Sequence, residues 1–439
     1  MRAVIALAAL AACGNSGTLS VSLVTAPGST ILDNVETLEV TLTDPLTTAS
    51  ATRQGSGFSI SFSLDATDAA GQLIAQGLDS GGNVIAVGES PPFPVDSLTA
   101  SIAIFMAAPN SMAASPVALD PVVDELAVGA LSFGVLFAGG RDASGTPQSE
   151  VEIYNAFDHT LSQGESLPAP RAAMAVAISS GSLAYFFGGT DPSGAPQAND
   201  WYFDTTVAPA GGYADFGDKT GFERAGQTLL GVDANNFLLT GTPPALVSVQ
   251  TGTPTARTDV ASLPAAGVAT TGNDSQIEAV FVAASGVTRY RDAIDMFDTL
   301  QLPSVARDGA TLIALTSGLV GVFCGGGDGA IVDTVSGAAN ALTGVPSDVR
   351  TSGCAVATTP QYLVIAGGTL ADGTLATTAE IFDATTFQPV ATAPLVVPRT
   401  GATAIALPDG QVMVIGGDDA TGAPIATIEL FTPMPTLPQ

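Results

Sequence analysis

Histidine, lysine and tryptophan occur once each in the 439 residues, as His159, Lys219 and Trp201. A single histidine excludes every two-histidine metal centre built within one chain, and with it the usual multi-histidine zinc and copper sites. His159 sits in the turn-like stretch Phe157-Asp-His-Thr160 and reads as structural. Basic residues are scarce: 12 Lys and Arg face 41 acidic residues, for a net charge of −29. Such a surface repels nucleic acid, whose binding depends on neutralising phosphates, and draws cations instead. No Walker loop, dinucleotide fingerprint or supported Ser–His–Asp arrangement appears, and no cofactor is expected. What is abundant is glycine (49), proline (29) and apolar side chains (46%), a turn-rich β composition.

Met1-Arg2 precedes an apolar run from Ala3 to Ala12, which ends Leu10-Ala11-Ala12-Cys13-Gly14. A positive start with a short apolar core has the parts of a secretory signal, and the run is too short to span a bilayer. Its end resembles the lipobox of bacterial lipoproteins. That resemblance implies a signal peptide over 1–12, lipidation of Cys13, and a lipid-anchored protein of the bacterial cell envelope, at the outer membrane. The membrane is then met through the anchor only, and the protein is expected to be a monomer.

Between 18 and 108, polar and apolar residues alternate at Thr18–Leu23, Thr37–Thr43, Gly57–Leu64, Gln72–Gly77, Asn83–Val87 and Leu98–Phe105. Period two with one apolar face predicts half-buried antiparallel strands. Six short strands in this length suggest a small β-sandwich resembling immunoglobulin or fibronectin type III modules. An Ala-, Pro- and Ser-containing stretch around 107–116 is expected to be a linker.

From 110 to 435 one pattern recurs. An apolar run ends in Gly139-Gly140, Gly188-Gly189, Gly325-Gly326, Gly367-Gly368 or Gly416-Gly417, with degenerate copies at Thr240-Gly241 and Ala284-Ser285. Successive copies are 49, 52, 44, 41, 42 and 49 residues apart, the period of a blade-type repeat. Inner strands are predicted to start at Arg171, Arg224, Ala266, Arg307, Arg350 and Arg399, with an equivalent at Val122. Third strands are predicted to end in Tyr154, Phe203, Phe297, Phe382 and Phe431. The ordered Arg, Gly-Gly and aromatic positions are similar to the kelch family of β-propellers. The departures are a single Trp and the missing double glycines around 224–300. The resemblance implies an all-β, seven-bladed propeller, six blades being the alternative count, with Pro116–Asp120 as the fourth strand of the last blade. Copper-radical oxidases resembling galactose oxidase stand on such propellers, but their paired histidines have no counterpart here.

Two features mark a candidate binding face. Loops after the Gly-Gly pairs carry Asp and Gly (Arg141-Asp-Ala-Ser-Gly145, Thr190-Asp-Pro-Ser-Gly194, Leu370-Ala-Asp-Gly373, Asp418-Asp-Ala-Thr-Gly422), and topology puts them on the same face as the inner-strand starts. Arg171, Arg224, Arg307, Arg350 and Arg399 either ring the channel mouth, where some kelch proteins hold acidic peptides, or pair locally with carboxylates and carbonyls. The Asp loops are turns first; calcium there is a lesser reading, since single carboxylates fall short of the oxygens it needs. Cys324 and Cys354 are expected as two buried thiols, a disulfide being the alternative. Functionally the pattern favours a non-catalytic recognition scaffold for a protein or glycan ligand. A polysaccharide-active enzyme using Asp and Glu and a purely structural envelope protein are the competing readings.

Overall fold

The computed structural model describes residues 20–438, except 56, 61–69, 95–100, 272–275 and 317. The expected leader and Cys13 lie outside the described residues, as do parts of the predicted strands Gly57–Leu64 and Leu98–Phe105. The protein is all-β, with two short 3-10 turns, and consists largely of repeated four-stranded antiparallel sheets arranged like propeller blades.

In the N-terminal region, Thr37–Thr43 pairs with Leu46–Thr52 on one side and Leu73–Leu78 on the other, and Val84–Glu89 completes a four-stranded sheet. Ser20–Val24 runs parallel to Ser101–Phe105. One core lies between these layers, with Val21, Leu23, Ile102 and Ile104 from the pair and Leu38, Val40, Leu42 and Leu73 from the larger sheet. Leu46–Thr52 goes unanticipated by pattern because its Thr and Ala residues alternate between half-buried and exposed on a sheet edge, giving no apolar face to detect.

Seven further four-stranded sheets follow among the described residues. The first comprises Ala127–Leu131, Gly134–Ala138, Val151–Asn155 and Thr160–Gln163, paired in chain order. The inner strands of the next six are Ala175–Ser179, Leu229–Gly231, Gly267–Thr271, Ala310–Ala314, Ala355–Thr358 and Thr403–Ala406. Each inner strand touches the next, and that of the seventh sheet touches that of the first, so the inner strands close a ring. Apolar cores fill the spaces between neighbours: Leu136, Phe186, Trp201 and Phe203 between sheets one and two, and Phe323, Leu363 and Phe382 between five and six. Burying such side chains is worth about 1.5–3 kcal/mol each, so sheet-to-sheet packing is the main source of cohesion.

The seventh sheet takes its fourth strand from Ser111–Ala118, which pairs with Thr427–Thr432. The closing strand therefore begins well before Pro116, and most of the expected linker is strand. Met112 and Ser115 are its buried residues, three apart across a shift in register, so no period-two pattern marks the strand. A second difference is in sheet four. Its third strand is Gly286–Arg291 with Tyr290 buried, while Phe297 lies on the outer strand Met296–Leu300. Ala284-Ser285 makes a short hairpin where sheets one, two, six and seven have a long loop, which moves the third strand forward. Finally, Cys324 and Cys354 form a disulfide between sheets five and six, with Cα atoms 6.6 Å apart. The expectation of two free thiols is thus corrected: adjoining strands bring them within bridging distance. Closing a loop of 30 residues stabilises the folded state by about 3–4 kcal/mol on the chain-entropy view.

Candidate functional site

Four strands in meander put two kinds of connection on opposite faces. Inner-to-second and third-to-outer turns share one face (the turn face); the Gly-Gly loops and the segments leading to each inner strand share the other (the loop face). The arginines precede the inner strands by a few residues, because the chain first makes a short bridge with the segment after the Gly-Gly: Arg350–Ser352 with Thr369–Leu370, Ala172 with Thr190, Thr400 with Asp418.

The Gly-Gly pairs and arginines prove to be one device. The amides of Gly140, Gly189, Gly326 and Gly368 donate to the carbonyls of Arg171, Arg224, Arg350 and Arg399 on the following sheet, all at 2.8 Å. A Cβ on Gly188 would lie 2.3 Å from the Arg224 carbonyl oxygen, and φ there is +69°, so glycine alone fits. The guanidiniums then reach back into their own sheet. Arg350 Nε donates to Gly367 O at 2.7 Å and Nη1 pairs with Glu380 Oε1; Arg399 Nη1 donates to Gly416 O at 3.1 Å and Nη2 pairs with Glu429 Oε1 at 2.7 Å. Arg224 serves the carbonyls of Phe222, Thr240 and Pro243, and Arg307 those of Asp328 and Val322. Arg171 donates to Pro170 O and Asn199 Oδ1 and lies over the Trp201 ring at 5.2 Å.

The five arginines thus stand at equivalent positions, but they do not converge. Arg350 and Arg399 have no exposed surface, Arg171 and Arg224 are buried, and Arg307 is half-buried. Arg171, Arg224, Arg350 and Arg399 are each tied to the preceding sheet by the carbonyl and to their own sheet by the guanidinium, which leaves little to offer a ligand. The Asp loops are likewise self-contained. Asp142 Oδ1 accepts the amides of Ser144 and Thr146, and Asp191 Oδ1 those of Ser193 and Ala195; Asp372 and Asp419 do the same for Thr374 and Thr421. Hydrogen bonds from Ser144 and Thr146 hold the Asp142 carboxyl below its usual range, and those from Thr421 and Ala423 do so for Asp419. Among the described residues no three His, Cys, Asp or Glu side chains gather as metal ligands.

Where sheet seven meets sheet one, the loop face differs. Val123, one residue on from the expected Val122, occupies the arginine position, pairing with Asp142 as Arg350 pairs with Leu370, and Asp124 beside it approaches Asp418. One oxygen of each carboxyl, Oδ1, is buried without a hydrogen-bond partner. Burial first, then the charges of Asp418 and Glu125, push Asp124 up to about 6; burial also raises Asp418. Two carboxyls so placed favour sharing a proton near neutral pH. Glu125 adjoins them at φ +48°, and Arg141 spans the rim, with Nε on Glu125 Oε2, Nη1 on Gly145 O and Nη2 on Thr190 Oγ1, each at 3.1 Å. Below the surface Glu152, equivalent to Glu380 and Glu429, is buried without a guanidinium, and burial pushes it up to about 7. Sequence reasoning put Asp418 in a candidate loop but missed Asp124 and Glu152, yet a signal existed: Glu152, Glu380 and Glu429 each follow the first glycine of a pair by 13 residues, and the first of them lacks its arginine.

No protein-family profile matches the chain, and no curated protein does. Among solved structures the chain is similar to one titled "Structure of YjhT", with 13% identity and a TM-score of 0.45 over 73% of this chain and 96% of that one.

Proposed function

We propose that the protein is a non-catalytic recognition scaffold: a seven-bladed, kelch-like propeller following a small β-sandwich-like domain, tethered to the bacterial envelope by a lipid on Cys13, and meeting its partner on the loop face. The observation that carries this reading is the acidic seam of Asp124, Glu125, Asp418 and Asp419. There the repeated fastening arginine is absent, and the carboxyls of Asp124 and Asp418 are left to face each other. The ligand that satisfies such a seam is a protein segment carrying Lys or Arg, or a glycan bearing amino groups. The disulfide accords with an oxidising compartment, as export requires.

The test is binding of a short oligolysine peptide to the full chain, by calorimetry at low and physiological salt. Asp124→Asn/Asp418→Asn is expected to weaken binding about tenfold or more, since each close charge pair contributes kcal-scale coupling. Equal binding by the parent and the double variant removes the seam as the site. The paired carboxyls also favour a second reading, acid–base chemistry on a polysaccharide. Turnover on a glycan panel that is lost in Asp418→Asn would replace the scaffold by an enzyme.

A further inference from the structure

The N-terminal region sits on the turn face over sheets seven and one. Ala103 N donates to Phe157 O at 2.7 Å, Phe157 packs into the N-terminal core, and Phe105 enters the core between the two sheets. Three ionisable side chains from three elements face one another at this contact. Asp409 is in the turn between Thr403–Ala406 and Val412–Ile415, His159 in the turn before Thr160–Gln163, and Glu89 ends Val84–Glu89. The side chains of Asp409 and His159 are wholly enclosed, with Nε2 and Oδ2 4.0 Å apart, and neither of those two atoms has a hydrogen-bond partner. Glu89 lies over the same turn: a Cβ on Gly410 would be 3.7 Å from its Oε2.

The remaining groups around the cluster are neutral or acidic. Tyr154 Oη bonds His159 Nδ1 at 2.6 Å, Gln72 Nε2 donates to Glu89 Oε2 at 2.9 Å, and Gln411 N donates to Asp409 Oδ1 at 3.1 Å. Asp158 bears on His159 and Tyr154, and Tyr362 feels Glu89. An enclosed carboxyl, Asp409, and a half-buried one, Glu89, therefore meet beside an imidazole that burial holds neutral, pushed down to about 4. Ionising both puts like charges in a medium that cannot solvate them.

We propose that this contact is a proton-dependent latch, which holds the N-terminal region on the turn face while Asp409 and Glu89 are protonated and loosens as both ionise. Burial pushes each of the two up to about 7. A raised acid binds its proton more tightly in the docked state, so docking weakens as pH climbs from the ordinary carboxylate range to about 7, then levels off. Neutral His159 works the other way between about 4 and 6.5, which cancels roughly one of the two protons until pH 6.5.

Amide hydrogen exchange of the full chain at pH 5 and pH 8, corrected for intrinsic exchange, tests the latch. Protection at Ala103 and across 156–160 and 405–411 is expected to fall about tenfold or more, from at least one linked proton over about two pH units, while Ile277–Ala283 in sheet four keeps its protection. In Asp409→Asn/Glu89→Gln the loss is expected to vanish, and His159, left as the titrating group, makes protection at the contact equal or higher at pH 8 than at pH 5. Protection in the parent that does not change with pH overturns the proposal, as does a double variant that keeps the full loss. Should the double variant fail to fold, Glu89→Gln alone, at a half-buried position, must cut the loss in the parent several-fold, and an unchanged loss there also overturns it.

Discussion

In sheets six and seven an arginine lies between the Gly-Gly turn and a glutamate of the third strand, whereas in sheet one a valine takes the arginine's place. The glutamate remains in all three. Glu380 accepts Ser347 N at 2.7 Å and Glu429 accepts Val396 N at 2.7 Å, besides their guanidiniums; Glu152 keeps a bond from the Asp120 amide and one from Gln163 Nε2 at 3.2 Å. Burial acts to raise Glu380, but the bonds from Ser347 and Arg350 prevail and hold it below its usual value. Glu152, with burial and no counter-charge, moves the opposite way. Sheet two solves the problem differently, with Trp201 at the glutamate position under Arg171. The same fold position thus carries an ion pair, a cation–π contact or a lone acid. The lone acid falls at the ring's closing seam, where Asp124 and Asp418 meet.

That contrast can be broken at its strongest point. Arg399→Ala strands Glu429 in the interior, and leaving a buried charge unpaired costs about 3–5 kcal/mol; a denaturant midpoint that barely moves would mean the pair contributes no stability. An intermediate effect is expected in sheet one. Because Glu152 is raised to about 7, the folded state binds its proton more tightly than the unfolded chain does, so this group makes stability fall as pH rises from about 4.5 to about 7. Glu152→Gln removes that dependence. It should stabilise the protein by on the order of 1–2 kcal/mol at pH 8, discounted for partial solvent screening, and by almost nothing at pH 4. A variant destabilised at both pH values would show that the lone acid is structurally required. The smallest effect is expected at the rim, where Glu125 and Arg141 are partly exposed. Glu125→Gln should change stability by less than about 0.5 kcal/mol, whatever it does to ligand binding.

Glycine spacing revealed most of the architecture from the sequence, because a close backbone crossing at positive φ strongly favours glycine. It was weakest where that mark is missing: Ala284-Ser285 hid a short hairpin, and the small residues of Ser111–Ala118 looked like a connector. The arginines were conspicuous, and of the two readings open to them their bonds match local pairing with carboxylates and carbonyls. Their regularity is that of a fastener repeated between sheets, and regular positions are satisfied from within. The candidate site lies instead where the repeat fails, at Val123 and its acidic neighbours. A residue missing from a series can be recognised only after the series has been aligned in space. His159 was correctly placed in a turn, but its burial depends on the N-terminal region covering it, which local sequence does not announce.

Pairing Ser111–Ala118 with Thr427–Thr432 also sets the timing of assembly. During synthesis the earlier segment emerges with its partner more than 300 residues behind; the bond from Met434 N to Asn110 spans 324 positions. At typical elongation rates that gap is roughly 15–60 s, a long exposure for an unpaired strand edge. Export of a still-unfolded chain would remove the wait, since both segments would then be available before the ring begins to form.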